Sequence, residues 1–342
     1  MKKGCLYGTH RVLEPKGVLP QPALKIDNDM EIYDNEILID VKTLNIDSAS
    51  FTQVKEQAGG DKEKMAEIIM GIVAERGKMQ NPVTGSGGML IGTVEKIGEN
   101  CETDLKVGDK IATLVSLSLT PLKIDEILEV KDNDQVNIKG KAILFQSGIY
   151  AKIPEDMHEN LVLSALDIAG APAQTAKLVR PGDTVVLIGG TGKAGMFCLY
   201  EAKKRAGVTG KVITVDINQD ALDRVMNAGL ADIAIKANAQ DAVEMMEKIG
   251  EVTDGQMADV VINIVNVPNT EMSTILITKD EGTAYFFSMA TSFTKAALGA
   301  EGVGKDIEMV MGNGYTKGHA EITLQILRES KELRDICEQL YV

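Results

Sequence analysis

The sequence predicts an α/β protein in two parts: a β-rich front domain and a doubly wound parallel sheet behind it. Three observations carry this. Up to about residue 153 the chain reads as short strands divided by turns. From about residue 158 apolar strand-like segments alternate with helical ones, the pattern of a parallel sheet covered on both faces. Within that second part, Val185-Val186-Leu187-Ile188 runs into Gly189-Gly190-Thr191-Gly192-Lys193-Ala194-Gly195. An amphipathic run through Met196, Phe197, Leu199, Tyr200 and Ala202 then follows.

In the front part, Glu36 to Leu44 reads as a strand, and a polar segment, Asn45 to Ser50, follows it. Residues 61–78 read as a helix. Asp61 is its N-cap, and Met65, Ile68, Ile69, Ile72 and Val73 line one face. Asn81-Pro82-Val83-Thr84-Gly85-Ser86-Gly87-Gly88 holds one proline and three glycines, so it reads as a loop, the kind of segment that lines sites. Gly92 to Gly98 and Val107 to Ala112 are further short strands. In the second part, strands are predicted at 185–188, 211–216, 232–235, 259–263 and 283–287, with helices between them. Ala320 to Leu340 has helical spacing.

Gly190, Gly192 and Gly195 fit G-x-G-x-x-G at a strand–turn–helix junction. The first glycine permits the turn, the second lets the backbone approach a pyrophosphate, and the third lets helix and strand pack closely. The helix start offers free N–H groups to phosphate. Gly190, Thr191, Gly192, Lys193, Ala194 and Gly195 are therefore the expected cofactor-binding residues. Asp216 closes the next strand, 21 residues after Gly195, where a carboxylate meets the ribose hydroxyls. An acid there repels a 2′-phosphate, so NAD is expected to bind better than NADP.

The formal net charge of −14 opposes nucleic-acid binding, which needs a basic face. It suits solubility, and it also favours a cationic substrate. No run of about 18 apolar residues exists, so no membrane span is expected. The first residues carry no apolar signal core. Cys5, Cys101, Cys198 and Cys337 form no metal or C-x-x-C spacing, which fits reduced thiols in a cytoplasm.

The whole pattern resembles the medium-chain dehydrogenase/reductase superfamily, the alcohol dehydrogenase fold. Val107-Gly108-Asp109-Lys110-Ile111 is similar to its V-G-D-x-V turn. Arg180-Pro181-Gly182-Asp183-Thr184-Val185 is similar to the P-G-D-x-V entry to its first Rossmann strand. The resemblance implies a GroES-like catalytic domain over residues 1–157 and a Rossmann NAD-binding domain over 158–300. A C-terminal segment, 301–342, should return to the catalytic domain. At the zinc positions the chain departs from the superfamily. Asp47 stands where zinc members carry a Cys, and Gly87-Gly88-Met89-Leu90-Ile91-Gly92 replaces G-H-E-x-x-G. The third ligand falls near Ser164. Such a set does not make a zinc site, so no metal is expected.

More narrowly, the chain resembles the L-erythro-3,5-diaminohexanoate dehydrogenases of anaerobic lysine fermentation. Gly4 to Pro15, Asn81 to Gly88 and Leu166 to Gln174 carry this resemblance. It implies NAD-dependent oxidative deamination of a C3 amine to a ketone, 5-amino-3-oxohexanoate, with release of ammonia. A small diamino acid substrate, a cytoplasmic location and a homo-oligomer, a dimer, are the matching expectations.

That chemistry needs a base to free the amine lone pair and a base to activate water. Asp47 is the first candidate, from its place at the missing zinc. Asp167 is the second, from its apolar surroundings. His10 is a candidate proton relay. Arg11 could hold the substrate carboxylate, and Thr84 and Ser86 could orient its amines. Two other readings stay open. One is a zinc-free quinone or enoyl reductase, which Asp216-Ile217-Asn218-Gln219-Asp220 disfavours because NADPH enzymes carry basic residues there. The other is a nucleotide-binding protein without catalysis, which steady turnover would exclude.

Overall fold

The computed structural model of the chain describes residues 1–312 and 314–341. It divides into two compact units, residues 1–163 and 164–342. The first unit opens with β1 (Val12–Glu14) and β2 (Lys25–Ile26), an antiparallel ribbon. β3 (Glu36–Ile46) follows as the central strand of a sheet. Its alternation turns Asp40 and Lys42 outward while Ile39, Val41, Leu44 and Ile46 go inward. α1 (Ser48–Gln57) and α2 (Lys62–Arg76) come next, then β4 (Gly88–Ile97), β5 (Lys110–Thr113), β6 (Leu122–Val130), β7 (Gln135–Phe145) and β8 (Tyr150–Lys152). The described residues make a six-stranded antiparallel sheet in the order β6-β7-β3-β4-β5-β8.

α2 forms as its sequence predicts. The Asp61 side chain accepts from the Glu63 and Lys64 N–H groups, and Gly77 ends the helix at φ 72°. Met65, Ile69 and Val73 join Phe51 and Val54 of α1 and Leu44, Ile46 and Leu90 of the sheet in one core. α1 itself differs from the expectation of a polar segment. Asp47 caps it through the Ala49 N–H, and the buried Phe51 and Val54 supply its packing energy.

α3 (Glu159–Leu166) runs across the boundary, and α4 (Gly170–Leu178) leads into the second sheet. There β9 (Thr184–Ile188), β10 (Lys211–Asp216), β11 (Ile233–Lys236), β12 (Ala258–Asn263), β13 (Thr278–Phe286) and β14 (Glu308–Met311) alternate with helices. These are α5 (Lys193–Ala206), α6 (Gln219–Asn227), α7 (Ala242–Val252), α8 (Glu271–Ile277) and α9 (Phe293–Val303). The order β11-β10-β9-β12-β13-β14 is parallel throughout and reverses between β9 and β12, which is the doubly wound switch point. α10 (His319–Glu329) packs on α4 and α5, and α11 (Lys331–Tyr341) packs on α5. The tail therefore differs from expectation. β14 completes this sheet and both terminal helices lie on helices of the same unit, so the described part of residues 301–342 is built into the second unit.

One buried ionic cluster organises the front of the first unit. Glu36, at the start of β3, receives Arg11 Nε and Nη2 at 2.7 Å each, His10 Nε2 at 2.8 Å and the Tyr33 N–H at 2.9 Å. The side chains of Glu36 and Arg11 are both fully buried. Burial pushes the Glu36 carboxyl up, but the bonds from His10, Arg11 and the Tyr33 N–H outweigh it and hold the group below the usual glutamate range.

Glu36→Gln should therefore leave the buried Arg11 with only the more distant Asp27 carboxylate, at 3.8 Å, to offset its charge, and cost about 3–5 kcal/mol in a denaturant titration. Because the folded carboxyl is depressed, its contribution is complete above the unfolded glutamate range. It is lost as pH falls through the folded value. Stability of the wild type should thus fall more steeply in acid than that of Glu36→Gln; equal slopes would contradict this.

Candidate functional site

The first unit brings several of the expected residues together where β3 ends. Ile46 pairs with Gly88 of β4, and the Asp47 N–H donates to the Gly87 carbonyl at 3.1 Å. The chain then turns into α1. Asp47 Oδ1 accepts from the Ala49 N–H at 3.1 Å and from Ser86 Oγ at 3.0 Å. Its Oδ2 has no hydrogen-bond partner among the described residues. Asp47 is half-buried.

Ser86 comes from the loop that Pro and Gly predicted. The buried Asn81 holds that loop in place. Its Oδ1 accepts from the Val83 and Thr84 N–H groups, and its Nδ2 donates to Gln53 Oε1 at 2.7 Å. Lys78 anchors the loop's root by donating to the carbonyls of Pro20 and Gln21. Burial, with Arg76 nearby, lowers the Lys78 ammonium to about 8. Thr84 Oγ1 and Ser86 Oγ each lie 2.6 Å from Ser50 Oγ and 3.1 Å from one another. Ser50 is fully buried and Thr84 exposed. Asp47, Thr84 and Ser86 thus form one cluster, and Ser50 is the member sequence reading missed. No local signal marks it, because a serine in the first turn of a helix has no signature of its own.

Gly87 and Gly88 make this corner possible. A Cβ at Gly87 would lie 2.5 Å from the Ser118 nitrogen. One at Gly88 would overlap the Asn45 carbonyl oxygen, and Gly88 sits at φ 121°. A histidine at the zinc-ligand position would therefore be excluded by the backbone of the neighbouring strand. Of the two positions in this corner where the resemblance expected zinc ligands, Asp47 offers a metal-binding side chain and Gly88 none. Among the described residues no three His, Cys, Asp or Glu side chains are grouped to hold a metal.

His10 and Arg11 lie in the ionic cluster at the other end of β3. The five guanidinium N–H groups of Arg11 are used by Glu36 and by the carbonyls of Asp27, Asp29 and Glu31. This corrects the expectation that Arg11 holds a substrate carboxylate: it has no donor left and no exposed face. His10 Nδ1 accepts the Cys5 N–H at 2.9 Å, so its proton sits on Nε2 toward Glu36. Both ring nitrogens serve the fold, which corrects its assignment as a proton relay.

In the second unit, the glycine turn joins β9 to α5. Gly189, not Gly190, takes the left-handed conformation, at φ 80°. Gly190 is required for a different reason: a Cβ there would overlap Thr214 of β10, and one at Gly195 would overlap the Gly189 carbonyl. At Gly192 the nearest atom would be 3.7 Å away, so that side is open. No side chain caps α5, which leaves its first N–H groups available. Asp216 ends β10. Its Oδ2 accepts from Thr191 Oγ1 at 2.5 Å and its Oδ1 from the Asn218 N–H at 3.1 Å. A cavity beside it is lined by Gly189, Val215, Asp216, Ile217, Asn238 and Val265. Asp167 is not the buried charge its apolar neighbours predicted. It is exposed and pairs with Lys193 Nζ at 3.0 Å, at the glycine turn.

Comparisons with known proteins agree with this division. Residues 10–154 match the family model described as the L-erythro-3,5-diaminohexanoate dehydrogenase N-terminal domain, and residues 194–303 match the zinc-binding dehydrogenase model. An L-erythro-3,5-diaminohexanoate dehydrogenase of Acetoanaerobium sticklandii is 66% identical over 99% of this chain and 100% of its own length. That of Fusobacterium nucleatum subsp. nucleatum is 65% identical over all of both chains. Among solved structures, Escherichia coli quinone oxidoreductase complexed with NADPH has the same fold. It aligns with a TM-score of 0.54 and 16% identity over 90% of this chain and 81% of its own.

Gly88→Ala tests whether the corner depends on close backbone approach. It should destabilise the protein by at least about 1–3 kcal/mol, the range for overpacking a tight site, measured as a shift in the unfolding midpoint. An unchanged midpoint would show that the strand ends can separate freely.

Proposed function

The chain belongs to the L-erythro-3,5-diaminohexanoate dehydrogenase family, and from that membership we propose that it oxidises the C3 amine of 3,5-diaminohexanoate to a ketone, using NAD and releasing ammonia. The observation that carries this is 66% identity across 99% of the chain, since it spans both the cofactor unit and the front unit.

The residues at the glycine turn fit a dinucleotide. The open side at Gly192 and the uncapped start of α5 suit a pyrophosphate. Lys193, held by Asp167, sits at the same turn and adds positive charge. Asp216, with Thr191 and Asn218 fixing its carboxylate, would bind the ribose hydroxyls and repel a 2′-phosphate. When bound, the oxidised nicotinamide supplies the acceptor for the C3 hydrogen and its electron pair.

The chain's own part is proton chemistry. An alkylammonium has no lone pair, so its C3–H bond becomes a donor only after the nitrogen loses a proton. Asp47 is the proposed base. The Ala49 N–H and Ser86 hydroxyl fix Oδ1, which leaves Oδ2 to take that proton. The substrate then develops positive charge as an iminium, which a carboxylate stabilises and a zinc ion would oppose. This is a physical reason for the ligand set Asp47, Gly88 and Ser164 to suffice. Asp47 also suits the second base role, activating the water that attacks C3. The quinone-reductase reading is weaker, because it expects NADPH and Asp216 disfavours the extra phosphate.

The purified protein should form NADH with 3,5-diaminohexanoate and not with lysine, simple alcohols or quinones; turnover of quinones instead would replace this reading. Asp47→Asn should lower kcat at least ~10²-fold, the lower end for a general base, while NAD binding changes little. In Asp216→Ala the preference for NAD over NADP in kcat/KM should narrow, and equal use of both cofactors by the unmutated protein would refute the assignment.

A further inference from the structure

The reaction proposed above creates a proton that has to leave. A C3 ammonium and water become a ketone and an ammonium ion, the C3 hydrogen departs with its bonding pair to the oxidant, and one proton remains for each turnover. That proton arrives on Asp47, which is only half-buried when the site is empty. A bound substrate would cover Oδ2, the oxygen with no partner among the described residues.

Behind the carboxylate the structure holds a continuous path of hydroxyl groups. Ser86 Oγ is 3.0 Å from Asp47 Oδ1, Ser50 Oγ is 2.6 Å from Ser86 Oγ, and Thr84 Oγ1 is 2.6 Å from Ser50 Oγ. The far end, Thr84, is exposed, whereas the middle, Ser50, is fully buried. A hydroxyl carries one proton and two lone pairs, so each of the three can take a proton from one neighbour and give its own to the next. In the Ser50–Thr84 and Ser50–Ser86 bonds either oxygen can be the donor. The backbone adds two contacts, the Ser86 N–H toward Thr84 Oγ1 at 3.3 Å and Ser50 Oγ toward the Ser86 carbonyl at 3.5 Å, and both leave the Thr84 proton free to point outward.

We infer that Ser86 and Thr84, whose hydroxyls lie 3.1 Å apart, form a proton exit from Asp47 to solvent, with the buried Ser50, 2.6 Å from each, as the positioning residue that holds them together. This rests on Asp47 being the base. The carboxyl gains its proton at Oδ2, and a half-turn about its last side-chain bond, a two-fold torsion, presents that proton to Ser86. Ser86 accepts it and passes its own to Thr84, directly or by way of Ser50, and Thr84 gives one to water. The path ends with Asp47 ionised again and every hydroxyl holding one proton. The Gly87–Gly88 corner and Asn81 serve this exit too, because they fix the loop that carries two of its three members.

The test is the dependence of steady-state kcat on a small diffusible buffer, measured with 3,5-diaminohexanoate and NAD. Ser86→Ala removes the hydroxyl that meets Asp47, which both branches of the path share. Thr84→Val removes its outer hydroxyl at an exposed position and keeps the shape. In dilute buffer both should lose kcat by about 10-fold or more, part of what a positioned proton-transfer group contributes. Concentrated imidazole should restore it. The wild type should not respond to imidazole, and unfolding midpoints should confirm that both variants fold. A loss that imidazole does not restore would mark a structural role and overturn the exit, as would wild-type kcat in both variants. Asp47→Asn separates the two layers of the argument. Near-normal kcat there would remove the base and the exit together. An inactive Asp47→Asn beside unaffected Ser86→Ala and Thr84→Val would remove the exit alone.

Discussion

The close approach of Gly88 to the Asn45 carbonyl is the constraint on which the site in the first unit depends. It allows β4 to begin directly against the last residues of β3, with no side chain between them. Asp47 then leaves the strand beside the Gly87 carbonyl and meets Ser86 within hydrogen-bond distance. The same approach denies the position to the histidine that a zinc site would need there. One backbone contact therefore does two things: it places a carboxylate with one oxygen unpaired among the described residues, and it leaves no room for a side chain at Gly88.

The two ends of β3 divide the polar residues by purpose. At its start, Glu36 is saturated by the buried Arg11, by the half-buried His10 and by a backbone N–H. A charge so thoroughly paired is held in place and has no capacity for a ligand. At its end, Asp47 is half-buried and keeps one oxygen unpaired among the described residues. That difference in satisfaction, more than residue type, separates the framework acid from the one proposed as the base. Lys78 belongs to the framework group as well, since its ammonium is spent on two carbonyls at the root of the loop.

The glycine turn of the second unit shows a similar separation of tasks. Gly189 provides the conformation, Gly190 and Gly195 provide clearance for Thr214 and for the turn's own carbonyl, and Gly192 provides an open face. The consensus spacing assigns the turn to its first glycine, but the left-handed residue is one position earlier, because β9 ends at Ile188 and the chain must reverse at once. Asp216 is held by Thr191 and Asn218, so its carboxylate is fixed by the fold itself.

Much of this protein was legible in its sequence, because it is written in local rules. Strand alternation, the Asp61 cap, the glycine turn and the acid at the end of β10 depend on residues near one another in the chain. The same is true of the breaker-rich loop at 81–88. Resemblance supplied the family and pointed to Asp47. What the tertiary structure decided are matters of long-range pairing. Arg11 looked like a carboxylate binder, and only Glu36, 25 positions away, shows that its donors are spent. Asp167 looked buried by its neighbours and is instead exposed beside Lys193. The tail joins the second unit because β14 finds an edge at β13. Ser50 was invisible as a site residue because a serine in the first turn of a helix has no signature of its own. Its meaning comes from Thr84 and Ser86, over 30 residues later, which only the folding of the loop onto α1 brings within reach. A sequence states which groups are present and which local shapes they favour. Which donors remain unsatisfied after folding is set by distant partners, and that remainder is what does chemistry.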